Sequence, residues 1–386
     1  MKDVKKTKQN SRNQGRSKRK NTKLSDLNKK DDRDKVEAPY LSKANDVSWY
    51  AQEPYLMKDA ASIPYSWPVG SRYNRYNEHY TDDGTLADVD VIPGLFVIET
   101  MTGPGISKDN NSAVNIAARN IYSFVRYANS GHANYDSPDL MLYLLAMDEC
   151  YMWLYNAMRI YGLMNTYNSQ NRYFPKWAIN ALGFDYEDVM SNFAQFRYAI
   201  NAFGVRIASM SVPAGMPIFE RHKWIYSGIY LDGESPKAQV YAYKPYGYRI
   251  YNETGETGGS LTYVKLDPAK PLKVADFIDI ANKMINPIIG SEDLNIMSGD
   301  ILKAYGTVGI VKIPVLEENY SVVPVYNEEV LSQFQNATIL SEPIAGDGQA
   351  VPSANIIQNP ALNEGTVLFD PEWSNDPWHT TKVQQP

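Results

Sequence analysis

The chain has 386 residues, 44% of them hydrophobic, and a net charge of −6. Its one cysteine, Cys150, excludes an intrachain disulfide framework and fits a compartment where disulfides are not needed. The four histidines, His79, His132, His222 and His379, are too widely spaced for a Cys/His metal cluster, so neither a metal nor a cofactor is expected.

Residues 1–35 read as a disordered basic arm. Residues 1–24 hold ten Lys/Arg against one acid, Asp3, about +9 in all, while residues 25–35 hold four basic and four acidic groups. With −6 for the whole chain, residues 36–386 carry about −15. The larger apolar residues among the first 24 are Met1, Val4 and Leu24, too little apolar surface to offset ordering entropy. No apolar h-region follows, so the arm does not resemble a secretory signal. A coreless cationic arm on an acidic body reads as a polyanion-binding device. A nuclear-localisation tract and a solubilising tail are the alternatives. The candidate nucleic-acid contacts are Lys5, Lys6, Lys8, Arg12, Arg16, Lys18, Arg19, Lys20 and Lys23. Without an aromatic residue the arm has no base-stacking element. Its binding is expected to ignore sequence and, through counterion release, to weaken steeply with salt.

Residues 36–110 read as an extended segment with a short strand. YSWPVGSRYNRYNEHYTDDG at 65–84 is rich in Pro, Tyr, Asn and Asp and has little periodicity. Trp49, Tyr50, Tyr55, Tyr65 and Trp67 make the segment too aromatic for solvated coil, so it is expected to lie along its own domain or a neighbour's. VIPGLFVIET at 91–100 predicts a strand and MTGPGIS a turn.

Residues 111–225 read as a helical core. Asn111 or Ser112 caps a helix over 113–129, in which Ile116, Ala117, Ile121, Phe124 and Val125 predict one buried face. In NYDSPDLMLYLLAMDECYMWLYNAMRIYG at 134–162, Asp136 or Ser137 caps, Pro138 takes the first helical position and Gly162 terminates. That helix is long enough to span a bilayer. Asp139, Asp148, Glu149, Asn156 and Arg159 interrupt it, so a central buried helix and no membrane span are expected. A short helix ends at Gly183. One long helix is expected over 185–210, striped by Val189, Phe193, Phe196, Ile200, Phe203 and Ile207. Pro213 and Pro217 end it, and a shorter helix or turn leads to Trp224.

Residues 226–340 read as a mixed strand and helix region. WIYSGIYL, AQVYAYKPYGYRIYN and SLTYVKL predict three strands, separated by turns at Asp232-Gly233 and ETGETGG. Helices follow over 274–287 and 292–304, the second with Glu292 and Asp293 in its first turn and Gly306 at its end. VGIVKIPVL and YSVVPVY predict a hairpin around Glu317, Glu318 and Asn319, and EEVLSQFQ predicts one more short helix. Residues 341–386, with six prolines, read as a Pro/Asn-rich extended tail.

Motifs for catalysis do not emerge. GTVGIVK lacks the Lys-Ser/Thr ending of a P-loop, GETGG at 255–259 lies between strands beside acids, and neither GxSxG nor HExxH occurs. Asp139 fits a first-turn acid favoured by the helix dipole. Asp148 or Glu149 is expected to form a buried pair with Arg119, Arg126 or Arg159. Asp293 and Asp300 lack a third metal ligand, His132 reads as a loop residue, and Cys150 as buried and inert. An enzyme is therefore not expected, because no usable cluster of His, Cys or paired carboxylates accompanies the arm.

VNIAARNIYSFVRYANSGHANYDSPDLMLYLLAMDECYMWLYNAMRIYG at 114–162 resembles the capsid proteins of picobirnavirus-like RNA viruses. So do SIPYSWPVGSRYN at 62–74, QNRYFPKWAINALGFDYEDV at 170–189 and SEDLNIMSGDILKAYG at 291–306, and the resemblance covers roughly residues 45–335. It implies a structural protein that self-assembles through intertwined dimers into an icosahedral shell around an RNA genome. The residues predict an α+β fold, a predominantly α-helical core with a smaller antiparallel β portion, and the resemblance implies a largely helical shell that is not a jelly roll. The expected partners are further copies of the chain and genomic RNA. The expected locations are the virion and, during assembly, the host cytoplasm. Closed symmetry would multiply the charge of the nine arm residues over an inner surface. A non-assembling RNA-binding protein with a disordered basic tail is the alternative, which a monomer at high concentration would favour.

Overall fold

A computed structural model of the chain describes residues 72–73, 90–91, 96–131, 134–166, 174–231, 233, 240–254, 258–267, 269–330, 354–359 and 365–371. All belong to the unit Asn45–Pro386. The nine candidate arm residues, the aromatic stretch 49–67, His79, His132 and His379 lie outside the described residues.

β1 (Arg72–Tyr73) pairs antiparallel with β2 (Asp90–Val91), and β3 (Phe96–Thr100) occupies the second half of the strand expected over 91–100. Ser112 stands at the N-cap of α1 (Ala113–Ala128). The buried face of α1 is Val114, Asn115, Ala118 and Val125, not the one expected. Ile116, Ala117 and Phe124 are exposed. At about 100° per residue, Ile116 and Phe124 lie on the far side of the helix from Ala118 and Val125, so the apolar residues form two stripes of which the core covers one.

Asp136 caps α2 (Ser137–Met164), and its backbone N–H donates to the Asp139 carboxylate at 2.9 Å. Every residue from Leu140 to Leu163 is buried, as expected of a central helix. The helix runs past Gly162, however. A Cβ there would lie 2.6 Å from the Val322 side chain and 3.0 Å from its backbone nitrogen, and the Gly162 carbonyl accepts Val322 N–H at 3.1 Å. This glycine permits a close backbone approach instead of ending the helix.

After α3 (Phe174–Ala181), Gly183 takes φ +87°. The single helix expected over 185–210 is two, α4 (Tyr186–Ser191) and α5 (Phe193–Ala208). Asp185 caps α4 through the N–H groups of Glu187 and Asp188, and the Asn192 side chain donates to the Asp188 carbonyl at 3.0 Å, breaking the helical register. The stripe survives the break: Val189, Phe196, Ile200, Phe203 and Ile207 are buried.

Pro217 opens α6 (Pro217–Ser227), which absorbs Trp224 and the first half of an expected strand and leaves β4 (Tyr230–Leu231). The strand expected over AQVYAYKPYGYRIYN is likewise two, β5 (Val240–Pro245) and β6 (Gly247–Thr254), in different sheets. Only glycine fits at the crossing, because a Cβ on Gly247 would sit 2.4 Å from the Val264 carbonyl. β7 (Gly258–Lys265) forms a hairpin with β6. α7 (Val274–Gly290) and α8 (Glu292–Tyr305) follow, the latter capped by the Ser291 hydroxyl and ended by Gly306 at φ +68°.

The hairpin expected over 308–326 does not form. Tyr320 N–H reaches the Glu317 carbonyl, so the turn exists, yet its arms pair elsewhere. Val311 donates to Val212, Leu316 to the Asn201 side chain, and β8 (Val325–Tyr326) runs parallel to β4. Pro314 and Pro324 each remove an N–H that a ladder between the arms would use. A helical turn begins at 328, where the Asn327 side chain accepts from Glu329 and Val330 N–H; the rest of EEVLSQFQ lies outside the described residues. β9 (Ile356–Asn359) and β10 (Thr366–Leu368) come from the segment expected only to be extended.

The sheets take the orders β10-β9-β7-β6, all antiparallel, and β3-β5-β4-β8, in which β3/β5 and β4/β8 are parallel. α2 packs against α1, α3, α5, α6, α7 and α8 and against β6, β7, β9 and β10. The fold is α+β with a predominantly helical core and a smaller β portion, and it is not a jelly roll.

Candidate functional site

Four charged side chains meet inside the molecule where α2 crosses α6 and β6. Asp148 and Glu149 are adjacent on α2 and both buried. Neither takes the partner expected from sequence. The Asp148 carboxylate bonds His222 Nδ1 of α6 at 2.5 Å, and Glu149 Oε1 accepts from Arg249 Nη1 of β6 at 2.5 Å. Arg249 also donates to the Thr102 carbonyl at 2.6 Å and the Ala354 carbonyl at 3.1 Å, and lies over the Tyr263 and Phe369 rings. Arg159 is wholly buried and serves neutral acceptors: Asn156 Oδ1 at 2.6 Å, Tyr243 carbonyl at 2.7 Å and Gly228 carbonyl at 3.3 Å. Arg119 and Arg126 stay on the surface.

Burial pushes the Glu149 carboxyl upward, against the opposing pull of Arg249. Burial alone would lower His222, but the charge and hydrogen bond of Asp148, with Glu149 behind it, outweigh that and raise it. Arg159 is lowered to about 10 by burial and remains a cation at neutral pH. The Cys150 thiol is fully buried and pushed up by that burial, so it carries no thiolate reactivity.

This arrangement fastens elements together. The cavity beside Glu149, lined by Thr102, Met152, Trp153, Tyr226 and Tyr248 among others, measures about 10 Å³. That is roughly the space of one water. His222 and Arg249 were not legible as the partners of the two carboxylates. The one hint is that the Tyr-rich alternation around Arg249 marks a strand with a core-facing side.

On the surface, α1 and α8 run antiparallel: the Phe124 and Tyr305 rings lie 4.8 Å apart and Asn129 donates to the Asp300 carbonyl at 3.2 Å. Their outward side exposes Ile116, Phe124, Tyr127, Ile296 and Leu302, with Tyr127 at 87%. Asp139 packs near Asp136 and Asp293, and burial followed by these like charges raises it. Asp300 turns aside to accept from the Tyr135 hydroxyl at 2.9 Å. Among the described residues no group of three or more His, Cys, Asp or Glu is placed to hold a metal, and Asp293 and Asp300 point to different surroundings. No described helix is long and apolar enough to cross a membrane.

Comparison with known proteins agrees with this architecture. The family described as picobirnavirus capsid protein matches residues 49–382. The capsid protein precursor of human picobirnavirus (strain Human/Thailand/Hy005102/-) is 36% identical over 343 residues, covering 87% of this chain and 62% of that protein. The X-ray crystallographic structure of the picobirnavirus capsid superposes with a TM-score of 0.68 at 27% identity, over 84% of this chain and 64% of that one. The chain thus spans less than two thirds of the length of either.

Proposed function

The chain belongs to the picobirnavirus capsid protein family, and we propose that it assembles, through dimers, into an icosahedral shell and packages genomic RNA non-specifically through its basic N-terminal arm. The family assigns a structural role. The observation that carries the packaging role is the charge split, about +9 in residues 1–24 against about −15 in residues 36–386.

An acidic body repels RNA phosphates, so contact falls to the arm. Lys5, Lys6, Lys8, Arg12, Arg16, Lys18, Arg19, Lys20 and Lys23 neutralise phosphates and release condensed counterions, with no base reading. One arm binds weakly, while many arms facing one cavity bind as a multivalent lining. The body holds them there: its buried ion pairs fix α6 and β6 on α2, and exposed apolar residues such as Phe124, Tyr127 and Tyr198 supply surface for neighbouring copies. Functionally the chain divides into the arm 1–35, the extended segment 36–110, the helical core 111–225, the mixed region 226–340 and the tail 341–386. The mature place of the protein is the virion, with assembly in the host cytoplasm.

Deletion of residues 1–24 tests the division of labour. The truncated protein is expected to form shells with much less extractable RNA and a lower ratio of absorbance at 260 to 280 nm. Shells with a normal RNA load would overturn the role given to the arm.

A further inference from the structure

We propose that the outward face of α8, with α1 beside it, is the two-fold contact between two copies of this chain, the two α8 helices lying antiparallel with Gly299 at the axis. The inference rests on the assembly reading above and names the surface that dimerisation uses.

The exposed side of α8 is one stripe at three- and four-residue spacing: Glu292, Ile296, Gly299, Leu302 with Lys303, then Gly306. Ile296 and Leu302 are 45% and 38% exposed, and Phe124 and Tyr127 of α1 flank them. Gly299 stands in the middle of this helix, where glycine costs about 1 kcal/mol relative to alanine. A Cβ at Gly299 would meet nothing within 4 Å, so no neighbour among the described residues requires the missing side chain. That open space leaves room for the backbone of a second copy to approach.

Charge gives the orientation. One end of the face carries Glu292 and Asp293 with Asp136 and Asp139 nearby. Lys303 stands at the other end, and Arg119 and Arg126 line the adjoining α1. Among the described residues none of these three cations has a carboxylate partner; Arg119 donates to the Asn110 carbonyl at 2.8 Å and Arg126 lies over the Tyr122 ring. A face with an acidic end, an apolar middle and a basic end complements itself only when a two-fold reverses one copy. About an axis at Gly299, Ile296 meets Leu302 of the second copy, and Lys303 comes within a turn of the second copy's Glu292 and Asp293. The two helix dipoles then oppose, which is also favourable.

The test is a cysteine at the axis. Gly299→Cys in the full chain places its thiol in open space, and the native thiol, Cys150, is buried. Mild oxidation is expected to convert most of the protein to a disulfide-linked dimer on a non-reducing gel. A 1:1 mixture of Ile296→Cys and Leu302→Cys chains should cross-link to each other more than either does alone. Lys303→Glu should weaken dimerisation in sedimentation by about tenfold, and combining it with Glu292→Lys and Asp293→Lys should restore it. If the unmodified chain forms shells while neither Gly299→Cys nor the mixed pair cross-links, this surface is wrong and the assembly reading stands. If the unmodified chain stays monomeric at high concentration, the assembly reading fails and this inference with it.

Discussion

Replacing Arg249 with methionine should be among the most damaging single changes in the core, and pH should partly undo it. The guanidinium is buried and holds Glu149 at 2.5 Å, with further bonds to the Thr102 and Ala354 carbonyls. Removing one member of a buried pair leaves a desolvated charge and typically costs about 3–5 kcal/mol. Glu149 is already raised from its ordinary 4.5 by burial, and without Arg249 it loses the interaction that opposes that rise. It escapes by protonating. A carboxyl whose folded value is raised contributes stability at low pH that is lost as pH climbs, so the variant should regain up to about 1.4 kcal/mol per unit on acidification from pH 7 towards 5. Adding Glu149→Leu removes the stranded charge and should recover about 2 kcal/mol relative to Arg249→Met alone at pH 7. Urea unfolding followed by tryptophan fluorescence reads each step, since Trp153 lines the cavity beside Glu149. A single-variant cost below about 1 kcal/mol at pH 7, or a double variant less stable than the single one, would refute the reasoning.

Three further outcomes follow from the same geometry. His222, raised by Asp148, contributes stability that is full below its unfolded value of 6.5 and is lost as pH rises through its folded value; melting temperature should fall as pH climbs above 6.5, and His222→Gln should flatten that fall. Gly162→Ala drives a methyl into Val322 and should cost about 1–3 kcal/mol in urea unfolding. RNA affinity of the full chain should decline with log salt at a slope approaching about −8 on duplex if all nine arm residues engage, and the slope should collapse when residues 1–24 are removed.

Much of the architecture was legible because its signals are local. Asp136, Pro138 and the long, mostly apolar run fix α2, and Ser291 with Gly306 brackets α8. The misreadings came where tertiary partners decide. Gly162 has the look of a helix stop, and only the chain folding back at Val322 shows that it admits a neighbour. The arms of 308–326 alternate like a hairpin, yet helix ends and β4 offer their groups better partners than each other. On α1 a single-face pattern merges two apolar stripes, and the exposed one carries Ile116 and Phe124. The partners of Asp148 and Glu149 lie 74 and 100 residues away, and no spacing rule reaches that far. The nine arm residues lie outside the described residues, and the role proposed for them rests on charge composition.

Negative-stain electron microscopy of the purified full-length chain tests assembly most directly. The account predicts closed shells of uniform diameter that appear without any other protein. A preparation that remains monomeric or dimeric at high concentration, across salt and pH, would contradict it.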